Sequence, residues 1–249
     1  MKKYELTAEF IEKWGKKLFR IKALISFGSV EAGELGGYVE KEDNLAQDGD
    51  AWVCDDAWVY GNARVYDDAW VYGDARVYGN AEVYGDARVY GNARVRDDAW
   101  VYGNAWVYGD ARVYGDAWVY GNAWVYGNAE VYGNARVCDD AWVYGNARVC
   151  DDAWVYGNAW VCGNADYLLI GRIGSRFSFT TFFKNKDKGI TVSCGCFLGT
   201  IAEFRAKVTD THGNNKHAKM YNLAADMAEL QILGEEHFDK LNTNKSEPF

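Results

Sequence analysis

From Ala51 to Asn164 apolar and polar positions recur with a period of six. Ala holds the first position and Val the third in each of 19 consecutive hexads, the valines running from Val53 to Val161. The second position is Trp, Arg or Glu, the fourth is mostly Tyr, and Gly-Asn, Gly-Asp or Asp-Asp closes the hexad. In an extended segment successive side chains alternate, so Ala and Val point to one side and the second and fourth residues to the other. Gly, Asn and Asp tolerate left-handed backbone angles and make tight corners. Each hexad therefore reads as a short strand and a bend, with small Ala near the corner and Val filling the core. A helix is excluded, because Gly every six residues is costly and Val at that period builds no helical stripe.

These hexads resemble the hexapeptide-repeat superfamily, named for bacterial transferases. The resemblance implies an all-β solenoid, a left-handed parallel β-helix with three hexads per coil. Residues 18 apart then stack about 4.8 Å from one another, and the hexads make about six coils, a rod about 30 Å long. The arithmetic sorts the outward second positions into three faces. One presents Trp52, Trp70, Arg88, Trp106, Trp124, Trp142 and Trp160. A second carries Trp58, Arg76, Arg94, Arg112, Glu130 and Arg148, and the third Arg64, Glu82, Trp100, Trp118, Arg136 and Trp154. Glu130 falls between Arg112 and Arg148, Glu82 beside Arg64, and Arg88 between Trp70 and Trp106 as in a cation–π sandwich.

The ladders have two readings. Stacked on themselves, they stabilise the sheets. Presented outward, ten Trp and fourteen Tyr on one rod are an unusually large aromatic surface. The Trp-rich face is the candidate contact surface, toward a second copy of the chain or another protein.

The flanks differ in composition. Residues 1–50 read as an N-terminal cap, with Thr7 opening a short helix whose apolar side is Phe10, Ile11, Trp14 and Leu18, then a strand from Ile21 to Phe27. Residues 165–238 read as a small α+β module and 239–249 as a loose tail. Phe177–Phe183 and Ile190–Cys194 flank a hairpin signal. Thr200-Ile201-Ala202-Glu203 is a capping box opening one helix. A second helix from about Asn215 to Leu233 has Met220, Leu223, Met227 and Leu230 as its stripe and Gly234 as its stop. The stretch Gly28-Ser29-Val30 through Gly37-Tyr38-Val39 resembles the start of uncharacterised hexapeptide-repeat proteins of bacteria and their phages. Gly195-Cys196-Phe197 through Thr211-His212-Gly213 resembles a module that accompanies such repeats in phage-type proteins.

Charge narrows the partners. The net charge is −9, and the repeats hold most of it, with 14 Asp and 2 Glu against 8 Arg and no Lys. An acidic rod is a poor nonspecific nucleic-acid binder, and its Arg residues weaken a reading as a DNA mimic. The first twenty residues lack the apolar core of a secretory signal, and no apolar run is long enough to span a membrane. The six Cys then point to a reducing cytoplasm.

Candidate chemistry is sparse. Acyltransferases on the resembled fold use a histidine on or beside the coils, whereas residues 51–164 contain no His and no loop insertion. Cys194, Cys196, His212 and His217 could be read as a zinc site, or Cys196 and His212 as a nucleophile pair, against buried structural roles. The Asp-Asp pairs could suggest Ca²⁺, but no two lie 18 apart, so they read as corners. Cys54, Cys138, Cys150 and Cys162 all occupy the outward Tyr position, and no two stack on adjacent coils. The sequence therefore leads to a non-enzymatic, self-associating scaffold or binding protein of phage or prophage type, needing no metal or cofactor. A sequestering inhibitor of a host factor and an acyltransferase are the alternatives.

Overall fold

The computed structural model describes residues 2–235. The expected tail at 239–249 and the end of the C-terminal module lie outside the described residues. Each hexad contributes one two-residue strand, from Trp52–Val53 to Trp160–Val161, nineteen in all. They stack in parallel with an 18-residue register, Trp52 on Trp70 and Val107 on both Val89 and Val125. The chain is thus a β-solenoid of about seven turns, with three parallel sheets whose membership matches the three faces read from the sequence. Every repeat Val and nearly every first-position Ala is fully buried. The backbone pairs coil to coil: the Trp106 N–H donates to the Ala123 carbonyl at 2.9 Å and the Tyr108 N–H to the Val125 carbonyl at 3.0 Å.

The corners follow from backbone chirality. Gly at the fifth position has positive φ in every hexad but the last, for example +69° at Gly73, and the five Asp that replace it do the same, from +55° at Asp55 to +61° at Asp97. An Asp in this region is strained, but its carboxylate repays part of the cost. Asp55, Asp67, Asp97 and Asp139 each accept the Gly N–H one coil on, at 3.0–3.4 Å. A Cβ on Gly79 would sit 2.7 Å from the Asp97 nitrogen, and one on Gly121 2.8 Å from that of Asp139. Two Asp corners in consecutive coils would therefore crowd backbone and align like charges, a physical reason for their spacing. Sixth-position amides form their own ladders, Asn62 to Asn80 to Asp98 and Asn104 to Asn122 to Asp140. Each ends on a carboxylate, which only accepts.

The N-terminal segment departs from the expected helix. Strand β1 (Tyr4–Lys13) and strand β2 (Lys16–Ala23) form an antiparallel hairpin. Its turn is Trp14-Gly15, both at positive φ, the geometry two-residue hairpins favour. The spacing of Phe10, Trp14 and Leu18 mimics a helical stripe, but Phe10 and Trp14 are exposed, and Phe10 pairs across the hairpin with Phe19 and Ile11 with Leu18. Strand β3 (Leu35–Val39) pairs antiparallel with β2 and parallel with the first coil, Tyr38 on Trp58, and Leu45 bridges Val65. Coil stacking thus reaches back to Tyr38. Buried Lys3 donates to the carbonyls of Asp48, Gly49 and Ala51, tying the hairpin over the coil end.

At the other end strands β4 (Tyr167–Ile173), β5 (Ser178–Lys184), β6 (Ile190–Cys194) and β7 (Phe197–Thr200) form an antiparallel sheet in chain order. The hairpin between β5 and β6 is the expected one. Consecutive residues of β5 serve different cores: Phe183 plugs the solenoid and Phe182 faces the helices. Helix α1 (Ile201–His212) opens with the expected capping box, Thr200 accepting from the Glu203 N–H at 3.2 Å and Glu203 accepting from the Thr200 N–H at 2.8 Å. Helix α2 (Lys216–Leu233) runs from its Asn215 cap to Gly234. Its buried side is Ala218, Tyr221, Ala224, Ala225, Ala228 and Ile232. The expected stripe of Met220, Leu223, Met227 and Leu230 is exposed instead. Alanines let the helix approach the sheet closely, and Arg205 of α1 locks that orientation by pairing with Asp226 and Glu229 at 2.7 Å.

Candidate functional site: the aromatic ladders

The Trp-rich face is a continuous ladder in its C-terminal half. Trp106 and Trp124 stack at 5.1 Å between ring centroids and 1° between planes, Trp124 and Trp142 at 5.1 Å and 5°. Trp160 turns edge-on to Trp142 at 6.0 Å. Because the stacking axis follows the rod, the indoles show solvent their edges and cover one another's faces. Trp70, Trp106 and Trp124 are half-buried, while Trp142 and Trp160 remain 37% and 38% exposed. The rings therefore stack along the sheet and still leave indole edges toward solvent.

Two members behave differently from expectation. Trp52 is fully buried beneath the N-terminal cap, edge-on to Tyr4 and Phe27, and lies outside the presented surface. Arg88 is exposed, with its guanidinium over Trp106 at 5.3 Å. The two-sided sandwich occurs elsewhere, at Arg136 on the third face, 4.5 Å from the Trp118 ring and 5.0 Å from that of Trp154. Glu130 binds Arg112 and Arg148 as the register implies, at 3.2 and 3.6 Å. Glu82 instead accepts the Tyr66 hydroxyl at 2.7 Å, and Arg64 lies over the Tyr66 ring.

Beside each Trp strip runs a tyrosine ladder. Tyr72, Tyr90, Tyr108, Tyr126 and Tyr144 stack at 4.8–5.1 Å. The indoles of Trp106, Trp124 and Trp142 meet the preceding tyrosines edge-on at 6.2–6.4 Å. Burial of the phenols pushes Tyr90 and Tyr144 up to about 12, neighbouring Tyr and Cys groups adding to the effect. The sequence reading named the Trp strip and missed these phenol ladders, which the same 18-residue arithmetic applied to the fourth position would have found. Where the strip meets the C-terminal module, Trp142, Ala159, Trp160, Asp140 and Lys186 line an open groove of about 600 Å³.

Cys194, Cys196 and His212 are brought together in a smaller cleft of about 220 Å³ between the C-terminal sheet and α1, with Arg176, Lys207 and Tyr221. The Cys194 sulfur accepts from the Thr180 hydroxyl at 3.2 Å, and His212 stacks on Tyr221 at 5.8 Å. No group of three or more His, Cys, Asp or Glu side chains among the described residues is arranged to hold a metal ion.

With the coil geometry fixed, the repeat can be placed among known families. The hexads match the YdcK beta solenoid repeat. Eight matches cover residues 57–73, 69–85, 87–103, 105–121, 111–127, 129–145, 141–157 and 147–163. They stop short of both caps, so what they establish is the solenoid, and a fold of this kind hosts unrelated activities. No curated protein matches the chain.

Proposed function

We propose that this β-solenoid is a non-enzymatic scaffold whose Trp-rich face from Trp70 to Trp160 docks a protein surface, in the first instance a second copy of the chain. The supporting observation is the strip Trp106–Trp124–Trp142, pre-stacked so that a partner meets rigid indole edges with little side-chain entropy left to lose. The coils carry no histidine for acyl transfer. The resemblance of both flanks to phage-type repeat proteins supports a setting in the cytoplasm of a phage-infected or prophage-bearing cell. The double substitution Trp106→Ala and Trp124→Ala tests the reading. The β-type circular dichroism should persist, because the Val core is untouched. Association should weaken well over tenfold if each indole contributes about 2 kcal/mol. Retention of the wild-type mass in solution by this variant, with dissociation caused instead by Arg94→Ala and Arg112→Ala, would assign the contact to the Arg face.

A further inference from the structure

Two ladders fail together in the last coil of the Trp-rich face. From Trp106 to Trp142 the indoles stack within 5° of parallel, whereas Trp160 stands at 82° to Trp142 with its centroid 6.0 Å away. The stacking axis follows the rod, so this rotation carries the face of Trp160 off that axis, and no parallel ring covers the far side of Trp142. The sixth-position ladder stops at the same place. The Asn122 amide donates to Asp140 Oδ1 at 3.0 Å, but the next member, Asn158, makes no side-chain bond to Asp140. Among the described residues the second Asp140 oxygen, the Asn158 amide and the Lys186 ammonium have no hydrogen-bond partner. Lys186 arrives on the loop between β5 and β6. Its N–H donates to the Asn158 carbonyl at 3.2 Å, and Asn185 bridges Ala159. Buried Asn185 fixes this loop from within, accepting from the N–H groups of Asp187 and Gly189 at 3.1 and 3.0 Å and donating to the Thr191 hydroxyl at 3.1 Å. A Cβ on Gly157 would meet nothing within 4 Å, so that corner leaves the space open. The resulting groove of about 600 Å³ combines the apolar surfaces of Trp142, Ala159 and Trp160 with the polar groups of Asp140, Asn158 and Lys186.

We propose that this groove binds a neutral pyranose unit of a glycan. A pyranose offers an apolar face of C–H bonds and a rim of hydroxyls, each able to donate and to accept. Indole rings supply the surface for the first. The second needs a mixed set of polar groups, and the groove has one: the Asp140 carboxylate accepts, the Lys186 ammonium donates and the Asn158 amide does both. Neighbouring hydroxyls on a sugar ring suit an acceptor beside a donor. Apolar walls with a few placed polar groups are the usual make-up of a small-ligand site. The two charges in the groove cancel, and the corners nearby add Asp139, Asp151 and Asp152, so a phosphate or carboxylate ligand meets repulsion. A cationic ligand would have to displace the Lys186 ammonium. A neutral polyol satisfies both groups without bringing a charge to be desolvated. The groove lies at one end of the Trp strip, and its polar members belong to a corner and a loop outside that strip.

The test titrates the full-length protein with cellotetraose, maltotetraose and chitotetraose, and with a hyaluronan tetrasaccharide as the acidic counterpart. Tryptophan emission and saturation-transfer NMR follow binding. At least one neutral tetrasaccharide should bind saturably, with the saturation appearing on its ring C–H protons, and the acidic one should bind at least tenfold more weakly. The variant N158A/K186A loses two hydrogen bonds to the sugar and should weaken binding by at least tenfold. It should keep the wild-type mass in solution, so that loss of this site is distinguishable from loss of self-association. W160A should abolish both binding and the emission change, whereas W154A, which removes an exposed indole on the third face, should leave the affinity unchanged. Wild-type circular dichroism in each variant checks that the coils are intact. Failure of all three neutral tetrasaccharides to bind would overturn the proposal. So would equal or tighter binding of the hyaluronan fragment, or wild-type affinity in N158A/K186A.

Discussion

Val107 lies at the middle of the rod, fully buried and paired in register with Val89 below and Val125 above. Val107→Ala removes two methyl groups, about 1.6 kcal/mol of transfer free energy. Because the flanking coils fix the backbone, the space cannot close, and the total should reach about 2–3 kcal/mol. Val107→Asp is nearly isosteric and leaves no comparable void, so its extra cost is polarity. An unpaired carboxyl in an apolar core costs roughly 2–7 kcal/mol even when protonated. Burial also raises its folded-state pKa above the unfolded value of about 3.9. A group raised in this way gives its full contribution below the unfolded pKa and loses it as pH rises through the folded value. The deficit of Val107→Asp relative to wild type should therefore widen from pH 4 toward neutrality, by about 1.4 kcal/mol per pH unit within that window. Denaturant unfolding followed by circular dichroism at pH 4, 6 and 8 measures all three quantities. Equal losses for Ala and Asp, or a deficit independent of pH, would refute a dry Val core.

The phenol ladders predict an alkaline limit. Unfolded tyrosine ionises near 10, whereas burial holds Tyr60, Tyr90 and Tyr144 protonated up to about 12, so stability present below pH 10 should fall between pH 10 and 12. Replacing Tyr90 by Phe should flatten that fall in unfolding titrations, and an unchanged slope would contradict the assignment. At the corner, Asp97 has φ +61° and accepts the Gly115 N–H at 3.4 Å. Asp97→Gly should lose this hydrogen bond and the 2.7 Å ion pair with Arg96, together about 1–2 kcal/mol, while releasing left-handed strain of about 1 kcal/mol. Asp97→Ala loses the same contacts and keeps the strain, so it should be about 1 kcal/mol less stable than the Gly variant, and a melting temperature for Ala at or above that for Gly would remove the strain argument.

The solenoid was legible because one rule generates it. Ala, Val and a corner residue recur without interruption, and arithmetic on 18 residues assigns every strand neighbour. The caps break the rule, and there reading by pattern fails in identifiable ways. Phe10, Trp14 and Leu18 are spaced like a helix but belong to a hairpin whose signal was the single Gly15. On α2 the bulky stripe Met220–Leu230 is the larger apolar target, yet the alanine side packs, because tight helix–sheet approach rewards small residues and Arg205 fixes the rotation. Trp52 shares the sequence context of the other face members and is buried only because the N-terminal cap folds over it, a contact that spacing within the repeats cannot encode.

Since the inward positions are nearly identical in all nineteen hexads, whatever distinguishes one face from another resides in the outward ones. Their electrostatics are unequal. On the second face Arg76, Arg94 and Arg112 stand directly beside one another across adjacent coils, a like-charge arrangement that costs free energy. Arg76 finds relief over the Trp58 ring at 4.4 Å and Arg112 in Glu130 at 3.2 Å. Among the described residues Arg94 has neither an ion-pair partner nor a ring beneath it. Pressing this face against its own copy would bring two such rows together and strip their solvent, compounding a repulsion that water now screens. The Trp-rich strip carries one charge, Arg88, already seated against Trp106. Burying indole edges there removes apolar area from water without stranding a charge. The two faces are built on the same Val core and the same register, so the choice between them as a homotypic contact turns on that difference in desolvation, and it favours the tryptophans.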